Sequence, residues 1–364
     1  MASSDFKTSQ TTAVDHGGEV TISALHPDII RANILARLDG PALASAACAS
    51  SSLHALSADE SLWRDVCTSM WPSVAHPRLR HLISTFPSGH RSFFSDSFPI
   101  LDRVPPHEFN PNRPSPSSGL ISAVDIYYQG KLVLSRVQET ETVSKWFLCS
   151  PFLVDLLDPK DSVPTQIRRA ADTAAGNDDG EWLKHLEENL TLSWILIDPT
   201  RKRAANLSSR RPVSAWRHWL TGEIQLRFAS VMVGDGSCSS SRRWLWSAAA
   251  AAPEMYQCGI VVTCGGDKEG GELHVREVGI HVEDMEGKHL NGKESLLVLG
   301  NAMDGGVRRK ARRCTDGRER YDAYLELRRE RRERKQRRES ALDFACIVTG
   351  VSIFVLFWSL LLFR

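Results

Sequence analysis

Several things are missing from this sequence. The first twenty residues, MASSDFKTSQTTAVDHGGEV, hold no apolar run behind a basic start, which excludes a secretory signal. They are polar, poor in aromatics and without periodicity, so residues 1–20 are expected to be disordered. Cysteine is sparse and scattered, at Cys48, Cys67, Cys149, Cys238, Cys258, Cys264, Cys314 and Cys346. These spacings build no disulfide framework, and a cytosolic body would keep the thiols reduced. Cys258 and Cys264, with His274 beyond, come nearest to a metal set. Their gap fits no common zinc pair and a fourth ligand is missing, so they read as small buried strand residues and no metal is expected. There is no phosphate-binding Gly-rich loop, no G-x-S-x-G elbow and no H-E-x-x-H pair. Gly265-Gly266 and Gly270-Gly271 bracket charged residues and read as a turn. Neither a cofactor nor catalytic chemistry is expected.

Net charge is nearly absent as well, at +1 over 364 residues, but this balance conceals an asymmetry. Residues 307–338 hold 15 Lys+Arg against 6 Asp+Glu, leaving 30 basic and 38 acidic residues in the rest. An acidic body is therefore joined to a basic stalk. What is present in abundance is apolar length at the end: Phe344 to Phe363 reads FACIVTGVSIFVLFWSLLLF, without charge or proline. At about 1.5 Å per residue such a helix spans the roughly 30 Å hydrocarbon core of a bilayer. Basic residues beside a span stay on the cytosolic side. The expectation is a single-pass, tail-anchored membrane protein with a cytosolic N-terminus, inserted through residues 344–363. Arg331, Arg332, Arg334, Lys335, Arg337 and Arg338 are the candidates for contact with anionic lipid headgroups. Basic runs also bind phosphate backbones. This one abuts an apolar span and lacks interleaved aromatics, so no nucleic-acid partner is expected.

Near the front, Leu25-His26-Pro27-Asp28 precedes Ile29, Ile30, Ile34, Leu35 and Leu38, which fall on one helical face. Asp39-Gly40-Pro41 stops this helix. An alanine-rich helix from Ala42 to about Ser50 follows. Ser57-Ala58-Asp59-Glu60 has the form of a capping box, opening a third helix with Leu62, Trp63, Val66 and Cys67. Three short helices make a core that is marginal alone. Residues 22–67 resemble an F-box, carried by Leu25 and Pro27-Asp28, Ile34-Leu35-Ala36-Arg37-Leu38, Gly40-Pro41, Leu43 and Leu62-Trp63. His26 separates Leu25 from Pro27, where the family commonly has Leu-Pro together. Leu38 to Ala49, with Trp71-Pro72-Ser73, is similar to one plant F-box subfamily. The resemblance implies docking on the adaptor Skp1 (ASK in plants) and, through it, on cullin in an SCF ubiquitin ligase. It assigns Leu25, Pro27, Ile30, Ile34, Leu38 and Leu43 to the Skp1 contact. Ile29, Leu35, Trp63 and Val66 are expected to form the internal core.

Residues 68–102 carry Trp71, Phe86, Phe93, Phe94 and Phe98, and 103–119 are proline-rich, marking a linker. From Leu120 the period becomes that of strands. A hairpin turns at Gln129-Gly130, and further strands are expected at Lys145–Cys149, Leu190–Ile197, Glu223–Val233, Gly259–Thr263, Leu273–Val282 and Leu296–Leu299, with a helix at Glu181–Asn189. Many short strands with polar turns point to an antiparallel sandwich or barrel. Trp216-Arg217-His218-Trp219-Leu220 bears a distant likeness to lectin-like domains of some plant F-box proteins. Trp216 and Trp219, with Trp244 and Trp246 as further candidates, would be its ligand platform. The fold expected is α+β: residues 1–20 disordered, a three-helix F-box over 21–67, the aromatic segment and linker over 68–119, an antiparallel β-rich sandwich-like substrate-recognition domain over 120–303, a basic helix over 304–340 and a transmembrane helix over 341–364. The function expected is a membrane-tethered, non-catalytic substrate receptor of an SCF ligase, acting on an unidentified protein. The alternatives are a tail-anchored glycan- or lipid-headgroup-binding module and a structural adaptor.

Overall fold

The computed structural model of the chain describes residues 25–98, 100–103, 118–168, 179–234, 254–266, 271–305, 307–309 and 316–363. The expectations for residues 1–20, most of the proline-rich linker, Trp244 and Trp246 lie outside these residues. The chain divides into two compact units, residues 1–66 and 67–364.

In the first unit, an α-turn Pro27–Ile29 passes into a wide π turn Ile30–Ile34 and a tight 3-10 turn Leu35–Arg37. His26 caps the start, its Nδ1 accepting from the Asp28 N–H at 3.3 Å. Asp39 both ends this segment and opens α1 (Gly40–Ala47), accepting from the Ala42 N–H at 2.8 Å. Helix α2 (Ser51–Ser57) is capped by Ser50, and α3 (Glu60–Met70) follows. Ser57 is therefore the buried last residue of an additional helix, α2, and not the N-cap of the next one. That role falls to Asp59, which accepts from the Ser61 N–H at 2.8 Å and the Ser61 hydroxyl at 2.7 Å. Ile30, Leu35, Leu43, Ala47, Leu62 and Trp63 are buried, and the Trp63 indole N–H donates to the Ser57 carbonyl at 2.7 Å.

The second unit is layered. Helices α4 (Pro77–Ser84) and α5 (Gly89–Ser97) carry an aromatic cluster in which Trp71 meets Phe93 and Phe94 at 5.9 Å and Phe94 stacks on Phe98 at 4.9 Å. Strand β1 (Ile100–Arg103) pairs with the distant β12 (Val307–Arg309). Strands β2 (Gly119–Tyr128) and β3 (Lys131–Glu141) form the expected hairpin. Next come α6 (Lys145–Cys149), β4 (Leu153–Asp155), β5 (Val163–Arg168), α7 (Asp179–Asn189), β6 (Leu190–Asp198), β7 (Arg203–Asn206), β8 (Ser214–Arg217), β9 (Ile224–Gly234), β10 (Glu254–Gly265), β11 (Glu272–Asp284), α8 (Gly292–Gly305) and α9 (Asp316–Leu362). One antiparallel sheet is ordered β3-β2-β6-β7; the other runs β4-β11-β10-β9-β8, with β5 also on β11. Alternation aims Val124, Ile126, Leu192 and Trp194 from the first sheet, and Phe228, Ile260, Val278 and Ile280 from the second, into one shared core. This is the sandwich-like arrangement expected.

Two expected strands are helices. Lys145–Cys149 is α6 because the Ser144 hydroxyl caps it, accepting from the Phe147 N–H at 3.2 Å. Leu296–Leu299 lies inside α8, where Asn291 and Glu294 form a reciprocal capping box: Glu294 N–H to Asn291 Oδ1 at 2.8 Å, and Asn291 N–H to Glu294 Oε2 at 3.4 Å. The polar stretch after β11 thus leads into a helix and not into a last strand. The far end of the chain is one 47-residue helix, α9, where a basic helix and a separate span were expected. Tyr321 and Tyr324 near its start pack with Val213, Ala229 and Met285 on the outer face of the second sheet.

Candidate functional site

The π turn decides which side chains of the front unit face outward. Its wide turn closes with the Leu35 N–H shared between the Arg31 and Ile30 carbonyls, four and five residues back. Residues five apart therefore align: Ile30 and Leu35 point inward, at 3% and 1% exposure, while Ile29 and Ile34 point outward, at 47% and 36%. Two expectations change. Ile30 and Leu43, placed in the docking contact, are buried within the chain and supply core. Ile29, expected in the core, is exposed. Leu35 and Trp63 are buried as expected, and Val66 is half-buried. Pro27 is exposed, and Leu25 and Leu38 are half-buried. The outward ridge is thus Pro27, Ile29 and Ile34, flanked by Leu25 and Leu38. Arg31 binds Asp59 at 3.2 Å and Asp28 at 3.4 Å, tying the turn to the start of α3. The Ser61 hydroxyl and N–H, with the Arg31 charge, hold the Asp59 carboxyl below the usual range.

The second candidate region is α9. From Leu342 onward its large apolar side chains are exposed, and the helix is long and apolar enough to cross a membrane, with none of its apolar stretch buried within the chain. The three hydroxyls in that stretch are satisfied by their own backbone: Thr349 donates to Ala345 O at 2.8 Å, Ser352 to Val348 O at 2.7 Å and Ser359 to Leu356 O at 2.9 Å. A hydrocarbon environment requires that polar groups be satisfied internally. In the basic stretch Arg334 pairs with Glu330 at 2.8 Å and Arg337 with Glu333 at 3.7 Å. Arg329 pairs with Glu333 at 3.1 Å. Arg331 and Arg338 have no ion-pair partner among the described residues. Arg332 donates to the Glu286 carbonyl at 3.1 Å, and Lys335 lies 3.4 Å from the Glu286 carboxylate.

Beneath α9 lies a cluster that sequence reasoning missed. His281 and Glu283 project from one face of β11, and the turn returns His289 to them; their ligand atoms lie within 4.8 Å of one another. His281 Nε2 is 3.3 Å from Glu283 Oε1, and Arg328 reaches the other carboxylate oxygen at 3.8 Å. Burial raises the Glu283 carboxyl, but the His281 hydrogen bond and the charges of His281, Arg227 and His289 outweigh it and leave the group below its usual range. The Arg328 guanidinium beside the carboxylate and the nearby charge of Arg227 oppose a divalent cation, so the cluster serves as an ion-pair network joining α9 to the sheet. The His-x-Glu alternation on a strand was the available signal. Cys258 and Cys264 face the core, where burial pushes the Cys264 thiol up to about 12, with the Glu223 charge adding to it. His274 alternates with the core residues Leu273 and Val275 and so does not join them.

Trp219 and Leu220 stand exposed at the β8–β9 turn, at 86% and 71%. Trp216 is half-buried in β8, with the Arg227 guanidinium 5.9 Å from its ring centre. Of these two tryptophans, Trp219 presents the open ring, and Trp146 in α6 is exposed to a similar degree, at 81%. A cleft of about 200 Å³ is lined by Trp71, Phe98, Tyr127, Asn206, Ser208 and Arg210 among others.

Comparison with known proteins bears on the front unit first. A family described as F-box-like matches residues 27–69. An Arabidopsis thaliana protein described as an F-box protein is 46% identical over 360 residues, covering 94% of this chain and 97% of its own length. A second Arabidopsis F-box protein is 44% identical over 334 residues, covering 90% and 87%. A third, described as a probable F-box protein, is 42% identical over 356 residues, covering 98% and 96%. No solved structure matches the chain.

Proposed function

The chain belongs to the F-box protein family, and on that premise we propose that it is the substrate receptor of an SCF (Skp1–cullin–F-box) ubiquitin ligase, held at a membrane facing the cytosol. The observation that carries the reading is the outward apolar ridge of Pro27, Ile29 and Ile34, with Leu25 and Leu38 beside it, on the unit that matches the family. A small helical unit that leaves apolar residues contiguous and uncovered offers a protein-binding face. Covering a large apolar side chain contributes about 1.5–3 kcal/mol. Skp1, the ASK adaptor of plants, is the partner, and through it cullin.

In this reading the chain supplies position and not catalysis. Its β-rich unit selects a target protein, and tethering raises the local concentration of that target beside the charged E2 carried by the ligase. The exposed apolar end of α9 with its internally satisfied hydroxyls supports insertion of residues 344–363 in a bilayer. Arg331, Arg332, Arg334, Lys335, Arg337 and Arg338 then lie on the headgroup side, where each basic residue contributes about 1 kcal/mol toward an anionic surface.

The test is co-purification of the full chain with Skp1. The variant Ile34→Asp/Leu38→Asp should lose binding by more than a hundredfold, since an unpaired charge in a buried contact costs about 3–5 kcal/mol. Wild-type-like binding by a folded double variant would refute the docking face. The open ring of Trp219 favours a second reading, a glycan- or headgroup-binding module without ligase work. A glycan array probed with the full chain separates the two: tight glycan binding without Skp1 association would favour the module.

A further inference from the structure

We propose that the cleft between the β11–α8 turn and the basic part of α9 binds a multiply phosphorylated anion of the inositol-polyphosphate class. The cleft measures about 300 Å³, with Met285 contributing apolar surface and Glu286, Arg331, Arg332, Arg334, Lys335 and Arg338 around it. Five cations thus face a single carboxylate. Arg331, Arg334, Lys335 and Arg338 follow the i, i+3, i+4, i+7 spacing that puts side chains on one helical face. The same stripe begins with Tyr321 and Tyr324, which dock on the sheet, so the row of cations continues on the body side of the helix. The site is only half compensated from within the protein. Arg334 has Glu330, Lys335 has Glu286, and Arg332 has only a neutral carbonyl. Arg331 and Arg338 have no carboxylate partner among the described residues.

Both walls are held in place. On the turn, Asp284 Oδ1 accepts from the Glu286 N–H at 2.8 Å and the Lys288 N–H at 2.9 Å, and Gly287 adopts φ +85°. On the helix, the Tyr324 hydroxyl donates to the Asp284 carbonyl at 3.2 Å. Guanidinium groups carried on these walls suit phosphate, which accepts their paired N–H groups. Several phosphates are needed to answer cations spread over two helical turns.

Position along the helix narrows the ligand further. Arg338 precedes Phe344 by about 9 Å and Arg331 by about 20 Å at 1.5 Å per residue. The polar layer of a bilayer leaflet adds only about 5–7 Å beyond the hydrocarbon. A serine headgroup stays short of most of the cleft. A headgroup that raises phosphates above the layer, or a free polyphosphate, reaches it. This deepens the membrane reading of α9 but depends on it only for the lipid source.

The experiment uses the full chain in neutral detergent micelles and phosphate-free buffer, with inositol hexakisphosphate as the probe in equilibrium dialysis. Saturable binding is expected, weakened at least tenfold by Arg331→Gln/Arg338→Gln and less than twofold by Arg136→Gln/Arg329→Gln, which removes equal charge outside the cleft. Equal weakening by the two double variants, or binding that does not saturate, would overturn the site. The chain is then reconstituted in phosphatidylcholine vesicles carrying either phosphatidylinositol bisphosphate or charge-matched phosphatidylserine. A selective loss of probe binding on the former identifies the lipid headgroup as occupant; equal probe binding on both identifies the free polyphosphate. A chain that fails to insert into vesicles yet binds the probe in micelles would remove the membrane reading and leave the site.

Discussion

Asp125 shows how much one side chain can organise here. It is fully buried on β2, and its carboxylate accepts from the Ser73 N–H at 2.9 Å, the Ser73 hydroxyl at 2.6 Å and the Ser135 hydroxyl at 2.6 Å. Burial raises its carboxyl above the usual range, against the pull of those hydrogen bonds. The folded value therefore exceeds the unfolded one. Its contribution is complete below the ordinary carboxylate value and is lost as pH rises through the raised folded value. Asp125→Ala leaves three donors without an acceptor and should destabilise the protein by about 1–3 kcal/mol. Asp125→Asn keeps an acceptor, should lose less, and should flatten the fall in stability over that window; urea unfolding between pH 4 and pH 8 checks both. Little of this was legible, since nothing in the sequence joins Ser73 to Asp125 across 52 positions. The apolar front was legible in composition but not in aspect. An α-periodicity cannot separate Ile29 from Ile30; the π turn does.

Among elements, local signals were readable where one of them acted alone. The Gln129-Gly130 hairpin and helix α7 stand where expected, because their local signals face no competitor. Asn291-Gly292 carried two messages, a turn and the start of a capping box with Glu294, and the box prevailed. On β11 the alternation slips at the bulge opposite Thr263 and Cys264, moving the core set from Leu273 and Val275 to Val278, Ile280 and Val282. The seat of α9 on the sheet rests on Tyr321, Tyr324 and the Arg328–Glu283 pair. A Cβ at Gly287 would collide with the Arg328 guanidinium, and the positive φ there is costly for other residues. Gly287→Ala should therefore cost at least about 1 kcal/mol and raise hydrogen exchange in residues 316–330 more than elsewhere. Glu283 sits below its usual range, so its contribution is present above the unfolded value and lost as pH falls through the folded one. Glu283→Gln should remove that acid-side loss; an unchanged acid limb would show that the network does not hold the helix.

For the molecule as a whole, the order of parts was written in composition: polar start, helical box, strands, basic stalk, apolar end. The pairing of β2 with β6 and of β1 with β12 was not, because such contacts join segments far apart in the chain and leave no local period. The account's central claim is that one chain joins a Skp1-docking unit to a membrane anchor. The most direct measurement is flotation of cell membranes on a density gradient, followed by capture of the full chain from the floated fraction and detection of Skp1. The account predicts Skp1 in that capture, lost with Ile34→Asp/Leu38→Asp while the chain still floats. A chain that remains at the bottom of the gradient, or one that floats without Skp1, would contradict it.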